Sequence, residues 1–310
     1  MTIPDFSIVV LSWNTEALTK ACLNALRHCR EASELGDEVI VIDNASEDGS
    51  VAMIQREFPE VRLYENDRNV GYARGVNQGL RLATGRNVAL LGSDTEVRPG
   101  TFDRMLTFLD ENPEVGAVSP RLIHPDGRPQ AACMRFPDLK VALWYDTFLE
   151  AWKPKNEVLD RYHYRDWSHD SDREVDQPPG TCLLVRREVL DDVGVMDKKL
   201  WLFFNDVDWC LRIRRAGWRI WYLHEETEVL HHLGASTSRF GAFPFEWHKN
   251  RLHFYRKHYH LAGAFIVKSA MIYVAFREVN RIRVNLEDKR EFFQHARQVV
   301  GALGRVLIRG

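Results

Sequence analysis

The sequence predicts an open, doubly wound α/β sheet, and three observations carry that prediction. Residues 8–11 and 39–42 are continuous apolar runs rich in β-branched side chains, as parallel strands buried on both faces require. Residues 16–32, between them, follow an amphipathic helical pattern. Strand-like and helix-like stretches then keep alternating as far as residue 91, the pattern of a sheet with helices on both faces.

The elements follow in order. A third short strand fits residues 61–64, a glycine-punctuated helix fits 71–83, and a strand fits 87–91. A helix over 99–111 and a strand over 116–119 continue the series. Between Pro137 and Pro179 charges and aromatics are frequent but periodicity is lost, which predicts a long loop with one helix at most. Strand character returns at 181–185, and helices are expected at 187–193 and 207–216. Residues 261–276 are apolar apart from Lys268 and Ser269 and are followed by Arg277, Arg281 and Arg283. Such a run is shorter than the ~20 residues a spanning helix needs. It reads as a C-terminal helix packed on the domain or in a homodimer, with an interfacial helix at an anionic membrane surface as the alternative.

Composition sets the outer limits. A chain of 310 residues that is 45% hydrophobic can bury a sizeable core as one large domain or two intimate halves. The formal net charge of -2 argues against nucleic acid as a partner, since phosphate neutralisation needs a basic face. The five cysteines Cys22, Cys29, Cys133, Cys182 and Cys210 are scattered and contain no Cys-x-x-Cys pair. Neither a zinc ribbon nor a disulfide framework is indicated, and a reducing cytosol fits. Asp5 and the short apolar run 7–13 lack the basic start and length of a secretory signal.

Candidate chemistry gathers at the ends of the predicted strands, where open α/β sheets bind ligands. Ser12, Trp13 and Asn14 follow the first strand, and Asp43, Asn44 and Ser46 follow the second. A carboxylate such as Asp43 can accept hydrogen bonds from a base or a ribose, or it can simply form a turn. Gly71, Gly75 and Gly79 are spaced by four, which clears one helix face for a backbone or a ligand and sets Arg74 and Asn77 on the same turn. Arg74 is thereby a candidate partner for a diphosphate. This is neither the Gly-x-Gly-x-x-Gly fingerprint nor a phosphate loop.

Ser93 and Asp94 follow the strand ending at Leu91; Asp94 is a candidate ligand for a hard divalent cation, or a cap. Of the adjacent His231 and His232, one is expected to serve the same site. Asn205, Asp206 and Asp208 stand between Trp201, Phe203 and Phe204 and a basic amphipathic helix. Capping and general-base catalysis are equally open readings there, because an apolar wall raises the proton affinity of a carboxylate. His-Glu-x-x-His, Gly-x-Ser-x-Gly and a catalytic-cysteine context are all missing from the sequence.

Six segments in register carry a resemblance: 7–14, 41–46, 69–77, 90–95, 179–187 and 204–212. From residue 6 to about 259 the chain resembles glycosyltransferase family 2, the inverting enzymes of the GT-A fold, and within it the rhamnosyltransferase-like bacterial branch. The resemblance implies a Rossmann-like mixed sheet flanked by helices, with a C-terminal helical extension. Residues 1–260 would form the GT-A domain, its nucleotide-binding half at about 1–98 and its acceptor half at about 99–260, and 261–310 the helical segment.

By that resemblance Asp43 holds the nucleobase or ribose and Arg74 and Asn77 lie near the nucleotide sugar. Ser12, Asn14 and Ser93 are assigned with them to the donor. Asp94 would ligate Mg2+ or Mn2+, His231 (or His232, one residue out of register) would sit near metal and diphosphate, and Asp206 would be the general base. Two departures stand out. Gly92 replaces the usual Asp or Asn two residues before the metal aspartate, and Asn205-Asp206 replaces Glu-Asp.

The implied reaction moves a sugar, rhamnose favoured, from a nucleotide-diphosphate donor (dTDP-rhamnose or a UDP-sugar) to a saccharide or lipid-linked acceptor in cell-envelope polysaccharide synthesis. A catalytically silent donor-binding scaffold and a nucleotidyltransferase-type enzyme remain as alternatives. Residues 153–177 and 246–259 are candidate acceptor contacts. Arg251, Arg256, Lys257 and His258 are available to a lipid-linked pyrophosphate, although a solvated helix face is the simpler reading. The expected location is the cytoplasm, at the inner face of the membrane if the C-terminal helix is interfacial.

Overall fold

The computed structural model describes residues 4–33, 36–232 and 243–285, with Gly301 and Gly304 besides. The run 234–236 and most of 286–310, both named above, lie outside the described residues. In chain order the elements begin with β1 (Phe6–Ser12), α1 (Glu16–Glu31), β2 (Asp37–Asp43), α2 (Ser50–Glu57) and β3 (Arg62–Glu65). Next come α3 (Tyr72–Leu82), β4 (Asn87–Gly92), β5 (Thr95–Val97), α4 (Thr101–Glu111), β6 (Val115–Pro120) and β7 (Leu122–Ile123). Then follow α5 (Leu139–Trp144), α6 (Phe148–Trp152), α7 (Glu157–Tyr162), β8 (Arg173–Glu174), β9 (Cys182–Arg186) and α8 (Arg187–Val193). The series closes with α9 (Asn205–Arg215), β10 (Arg219–Leu223), β11 (Val229–His231) and α10 (Phe243–Asn285).

Two compact units are present, and they are not consecutive stretches. The first comprises Met1–Met134, Trp167–Trp201 and Asn205–Gly241; the second comprises Arg135–Asp166, Leu202–Phe204 and Ala242–Gly310. In the first, eight strands form a sheet of order β3-β2-β1-β4-β9-β6-β10-β8. β1 runs parallel to β2 and β4, β2 to β3, and β6 to β10, whereas β9 lies antiparallel between β4 and β6. The sheet is therefore mixed. A smaller sheet, β5-β11-β7, stands apart from it.

Alternation along β1 explains why helices cover both faces. Phe6, Ile8 and Val10 face a core shared with Cys22, Leu23 and Leu26 of α1, Met53 and Ile54 of α2, and Phe102, Met105 and Leu109 of α4. Val9 and Leu11 face α3, and there the four-residue glycine spacing has its use. A Cβ on Gly75 would lie 2.4 Å from Leu11 Cδ1, and one on Gly79 2.2 Å from Val9 Cγ1. The glycine face lets the helix settle on strand side chains, so of the two expected uses the close approach is to protein.

The stretch expected to be a long loop with one helix at most instead holds α5, α6 and α7, each too short to show periodicity in sequence. Asp138, Thr147 and Asn156 cap them through bonds to the amides of Val141, Leu149 and Leu159. In the same unit α10 is broken at His260, where φ is 55° and ψ is −140°. Before the break Arg251, expected on a solvated face, is 1% exposed. It donates to the carbonyls of Ala142 and Tyr145 at 3.2 and 2.7 Å, which satisfies the C-terminal end of α5. Arg256 and Lys257 are exposed as expected. By length and composition Glu246–Arg277 is long and apolar enough to cross a membrane.

Gly79→Ala tests the α3 packing. Overpacking against Val9 should cost about 1–3 kcal/mol, outweighing the ~1 kcal/mol gain in helix propensity. Urea unfolding would show it as a lower midpoint; an unchanged or raised midpoint would mean the helix has room to spare.

Candidate active site

The carboxyl ends of β1, β2 and β4 meet in a set of interlocked loops. Asn44 N donates to Ser12 O at 2.8 Å, Asn14 N to Ser46 Oγ at 2.9 Å, and Glu47 N to Asn14 Oδ1 at 2.7 Å. Asn14 does this with φ at +53°, a conformation asparagine tolerates better than most residues. Asp43 is buried, and its two carboxylate oxygens accept from Ser46 N (2.7 Å) and Ser46 Oγ (2.6 Å). The carboxylate thus closes its own turn. Ser12 and Ser93 belong to a buried chain of hydroxyls, Ser12–Thr19–Thr15–Ser93, with steps of 3.1, 3.0 and 3.1 Å.

Asn44, next to Asp43 at the end of β2, ties the next loop in. Its side-chain amide donates to Asn69 Oδ1 at 2.9 Å and its oxygen accepts from Val70 N at 3.0 Å. Beyond that loop Gly71, at φ +86°, leaves space filled by the indole of Trp201, which a Cβ would meet at 2.4 Å. Arg74 is exposed on the first turn of α3. Asn77 is buried, and its amide is engaged at both ends with the Met196 backbone (2.8 and 3.0 Å). It clamps α3 to the segment between α8 and α9.

Asp206 opens α9. Its oxygens accept from Val207 N at 2.9 Å and Gly180 N at 3.2 Å, and Asn205 Oδ1 accepts from Asp206 N at 2.8 Å. The retained aspartate and its asparagine neighbour thus do different work, one presenting a carboxylate and the other holding its amide. Burial raises the Asp206 proton affinity above the usual carboxylate range, and the backbone donors offset only part of that. Asp208, two positions on in α9, is fully buried in an ion pair with Arg212 at 2.9 Å. Of the aromatics expected around the acids, Trp201 belongs to this unit, while Phe203 and Phe204 belong to the second and pack on Trp247 at 5.4 and 5.0 Å.

The small sheet delivers the other half of the site. Antiparallel pairing of β5 with β11 sets His231 opposite Thr95, which brings His231 Nε2 to 3.6 Å from Asp94 Oδ2. His231 Nδ1 lies 3.0 Å from Gln130 Oε1, which leaves Nε2 as the ring nitrogen turned toward Asp94. His232 turns away, to Glu96 Oε1 at 2.7 Å, and only its backbone N–H reaches Asp94 O. Burial pushes the Asp94 carboxyl up, but His231 more than compensates and holds it below the usual range. Where the resemblance leads one to expect Asp or Asn at position 92, a Cβ would lie 2.8 Å from Asp94 Oδ1. The Asp94 carboxylate occupies that space.

Among the described residues no group of three or more His, Cys, Asp and Glu side chains is arranged to hold a metal. The pair Asp94 and His231 Nε2 still fits a hard cation that takes one or two protein ligands and completes its octahedron with phosphate oxygens and water. Tyr72, Gly180 and Gln130 escaped the sequence reading. Tyr72 donates to Gly180 O at 3.0 Å. Burial, then the charges of Asp206 and Asp94, push its hydroxyl up, so it stays a donor. Gly180 stood inside a quoted motif, but Gln130 lies in irregular chain and left no signal.

A mixed sheet with one antiparallel strand between two parallel sets, and with carboxylates at the strand ends, is the GT-A architecture. Solved structures of similar fold include the mannosyltransferase PcManGT from Pyrobaculum calidifontis in complex with GDP-Man and Mn2+ (TM-score 0.55, 15% identity, 99% of this chain and 88% of that one). Another is S. aureus TarS 1-349 (TM-score 0.53, 16% identity, 98% and 81%). Residues 7–194 match the family model for glycosyl transferase family 2. The N-acetylglucosaminyl-diphospho-decaprenol L-rhamnosyltransferase of Mycobacterium tuberculosis (strain ATCC 25618 / H37Rv) is 30% identical over 227 residues, 67% of this chain and 70% of that protein. The chain belongs to glycosyltransferase family 2.

Asp206→Asn provides a check on the electrostatics. A raised carboxyl affinity means that folding favours the protonated acid, so this contribution is full below the unfolded-state value near 3.8 and is lost as pH rises through the higher folded value. The variant should therefore melt above the wild type at pH 8, and the gap should close toward pH 4. A variant less stable at pH 8 would contradict the burial assignment.

Proposed function

We propose that this family 2 glycosyltransferase is an inverting, metal-assisted enzyme that moves a hexose, rhamnose first among candidates, from a nucleoside-diphosphate donor to a hydroxyl of a saccharide or lipid-linked acceptor. The observation that carries the proposal is the placement of two carboxylates in the first unit: Asp206, at the start of α9, is held by Gly180 N–H and Val207 N–H, and Asp94, after β4, lies 3.6 Å from His231 Nε2. Burial pushes the Asp206 carboxyl up, which suits it to take a proton. The rhamnose and the lipid-linked acceptor rest on the mycobacterial relative's name, and cell-envelope synthesis also on a second relative. This is the O-antigen biosynthesis protein RfbC of Myxococcus xanthus, 25% identical over 202 residues, of which the chain spans 15%.

In the proposed step the acceptor oxygen attacks the anomeric carbon from the face opposite the diphosphate. The carbon–oxygen bond to phosphate breaks as the new glycosidic bond forms, and the hydroxyl proton passes to Asp206. One base suffices, in contrast to the two carboxylates a glycosidase sets across the bond. Gly180 N–H and Val207 N–H hold the Asp206 carboxylate in one orientation, and Tyr72 fixes Gly180. Asp94 and His231 would hold a divalent cation, which supplies charge neutralisation at the departing diphosphate. Arg74 is the available cation for the donor's phosphates. Asp43, Asn14, Ser12 and Ser93 shape the donor loops through their bonds to Ser46, Glu47, Thr19 and Thr15 respectively, and Asn77 acts at a distance by fixing α3. The expected setting is the cytoplasmic side of the envelope.

Asp206→Asn should lower turnover by about 10²–10⁴-fold while nucleotide binding, read by calorimetry, stays unchanged. The wild type should lose activity on an acid limb displaced above the usual aspartate range. Turnover near wild type in the variant would remove the base assignment. Asp94→Ala and His231→Ala should each weaken Mn2+ binding measured in the presence of nucleoside diphosphate, and Gln130→Leu should weaken it by about 10–100-fold. Full activity of the wild type in excess chelator would show that no metal takes part.

A further inference from the structure

The second unit carries an exposed apolar surface assembled from two separate elements. On the arm of α10 after His260, Leu261, Phe265, Ile272 and Phe276 are 83%, 74%, 60% and 66% exposed. With 3.6 residues per turn their positions fall in a stripe roughly 60° wide. On α6, Phe148 and Trp152 are 62% and 77% exposed, and the Phe148 ring lies 6.4 Å from that of Tyr273 on the α10 arm. The two patches are therefore neighbours on one surface. Single exposed apolar side chains are ordinary, but a contiguous set of this size marks a docking face.

Charge says what the face meets. Lys153 and Lys155 follow Trp152 and are exposed, Lys268 lies at the stripe itself, and Arg277 is exposed next to Phe276. The helix continues through a sequence carrying Arg281 and Arg283, against Glu278 as the acid of the arm. Near α6, Glu150 is turned back to accept from Asp146 N at 2.7 Å. Aromatic and aliphatic side chains rimmed by lysine and arginine match the boundary of an anionic bilayer, where rings sit at headgroup level and cations meet phosphates.

We propose that this face docks the protein on an acidic lipid surface, with the α10 arm lying in the plane of the membrane. The inference stands on the second unit alone and does not rest on the proposed reaction. A lying helix is favoured over a crossing one because its other side is already used: Val267 and Met271 are 0% exposed and Val274 is 7% exposed. The apolar run of residues 261–276 is also about 24 Å long as a helix, short of the ~30 Å hydrocarbon core, with Lys268 at its middle. A lipid surface is favoured over a second copy of the chain because a two-fold contact would bring together two faces with the same lysine- and arginine-rich rim, whereas anionic headgroups carry the opposite charge.

The test is sedimentation of the full chain with vesicles of phosphatidylcholine alone and of phosphatidylcholine with phosphatidylglycerol. The wild type should pellet with the anionic vesicles and much less with the neutral ones, and added salt should weaken binding. F265S with F276S should reduce the affinity by about tenfold or more, because two large rings no longer leave water, while the melting temperature stays unchanged. K153E with K155E should reduce binding to anionic vesicles only. Failure to pellet, equal binding to both vesicle types, or an undiminished F265S/F276S variant would overturn the proposal. So would a wild-type dimer that F265S/F276S converts to a monomer, since the face would then belong to a second copy.

Discussion

The backbone at Gly180 and Thr181, just ahead of β9, is the point on which the first unit's site depends. Gly92 N donates to Thr181 O at 2.8 Å, which holds the end of β4. Tyr72 donates to Gly180 O, which holds the start of α3, and Gly180 N donates to Asp206, which holds the start of α9. Three elements distant in sequence are thereby referred to two adjacent residues. A Cβ at position 180 would lie 3.2 Å from Asp206 Cβ, so the approach that makes these bonds also leaves little tolerance for a side chain.

That hub can exist because β9 runs against its neighbours. An antiparallel strand between β4 and β6 brings its preceding turn to the carboxyl end of β4, where a parallel strand would bring its amino end to the opposite edge. Two arginines at the far end of β9 hold the strand in place. Arg186 donates to the carbonyls of Leu109 and Asn112 at the end of α4 and of Val115 at the start of β6, and Arg187 to those of Ala83 and Gly85 after α3. Each satisfies groups that a helix terminus leaves without partners.

Within the frame so fixed, two aspartates acquire opposite tendencies. Asp206 has backbone donors only, and burial prevails; Asp94 faces the His231 imidazole beside Gln130, and the hydrogen bond and charge of that imidazole together outweigh burial. Neither tendency resides in the residue type. The same holds for Asp208, two positions from Asp206, which Arg212 consumes in a buried ion pair. The second unit obeys different rules: short capped helices and a broken long one leave an apolar face uncovered, so that its energetics point outward to a surface.

The parallel strands β1, β2 and β4, the helices α1 and α3, and the glycine face of α3 were legible in the sequence because local periodicity and side-chain volume suffice to specify them. So were the carboxylates at strand ends, since strand-to-helix alternation decides which end of a parallel sheet gathers loops. Helix α2 and strands β5, β7, β10 and β11 were not legible; the strands are two to five residues long and make sense only beside their partners. The choice between His231 and His232 depended on the register of β5 with β11, a non-local pairing that no local pattern encodes. Arg251 passed for a solvated cation because burial belongs to the packed molecule and not to the residue. The sequence by itself determined the α/β plan and the residue types available for chemistry. Only the tertiary structure decided which of them meet, because proximity between distant segments is set by strand order, register and packing, and those set the electrostatics in turn.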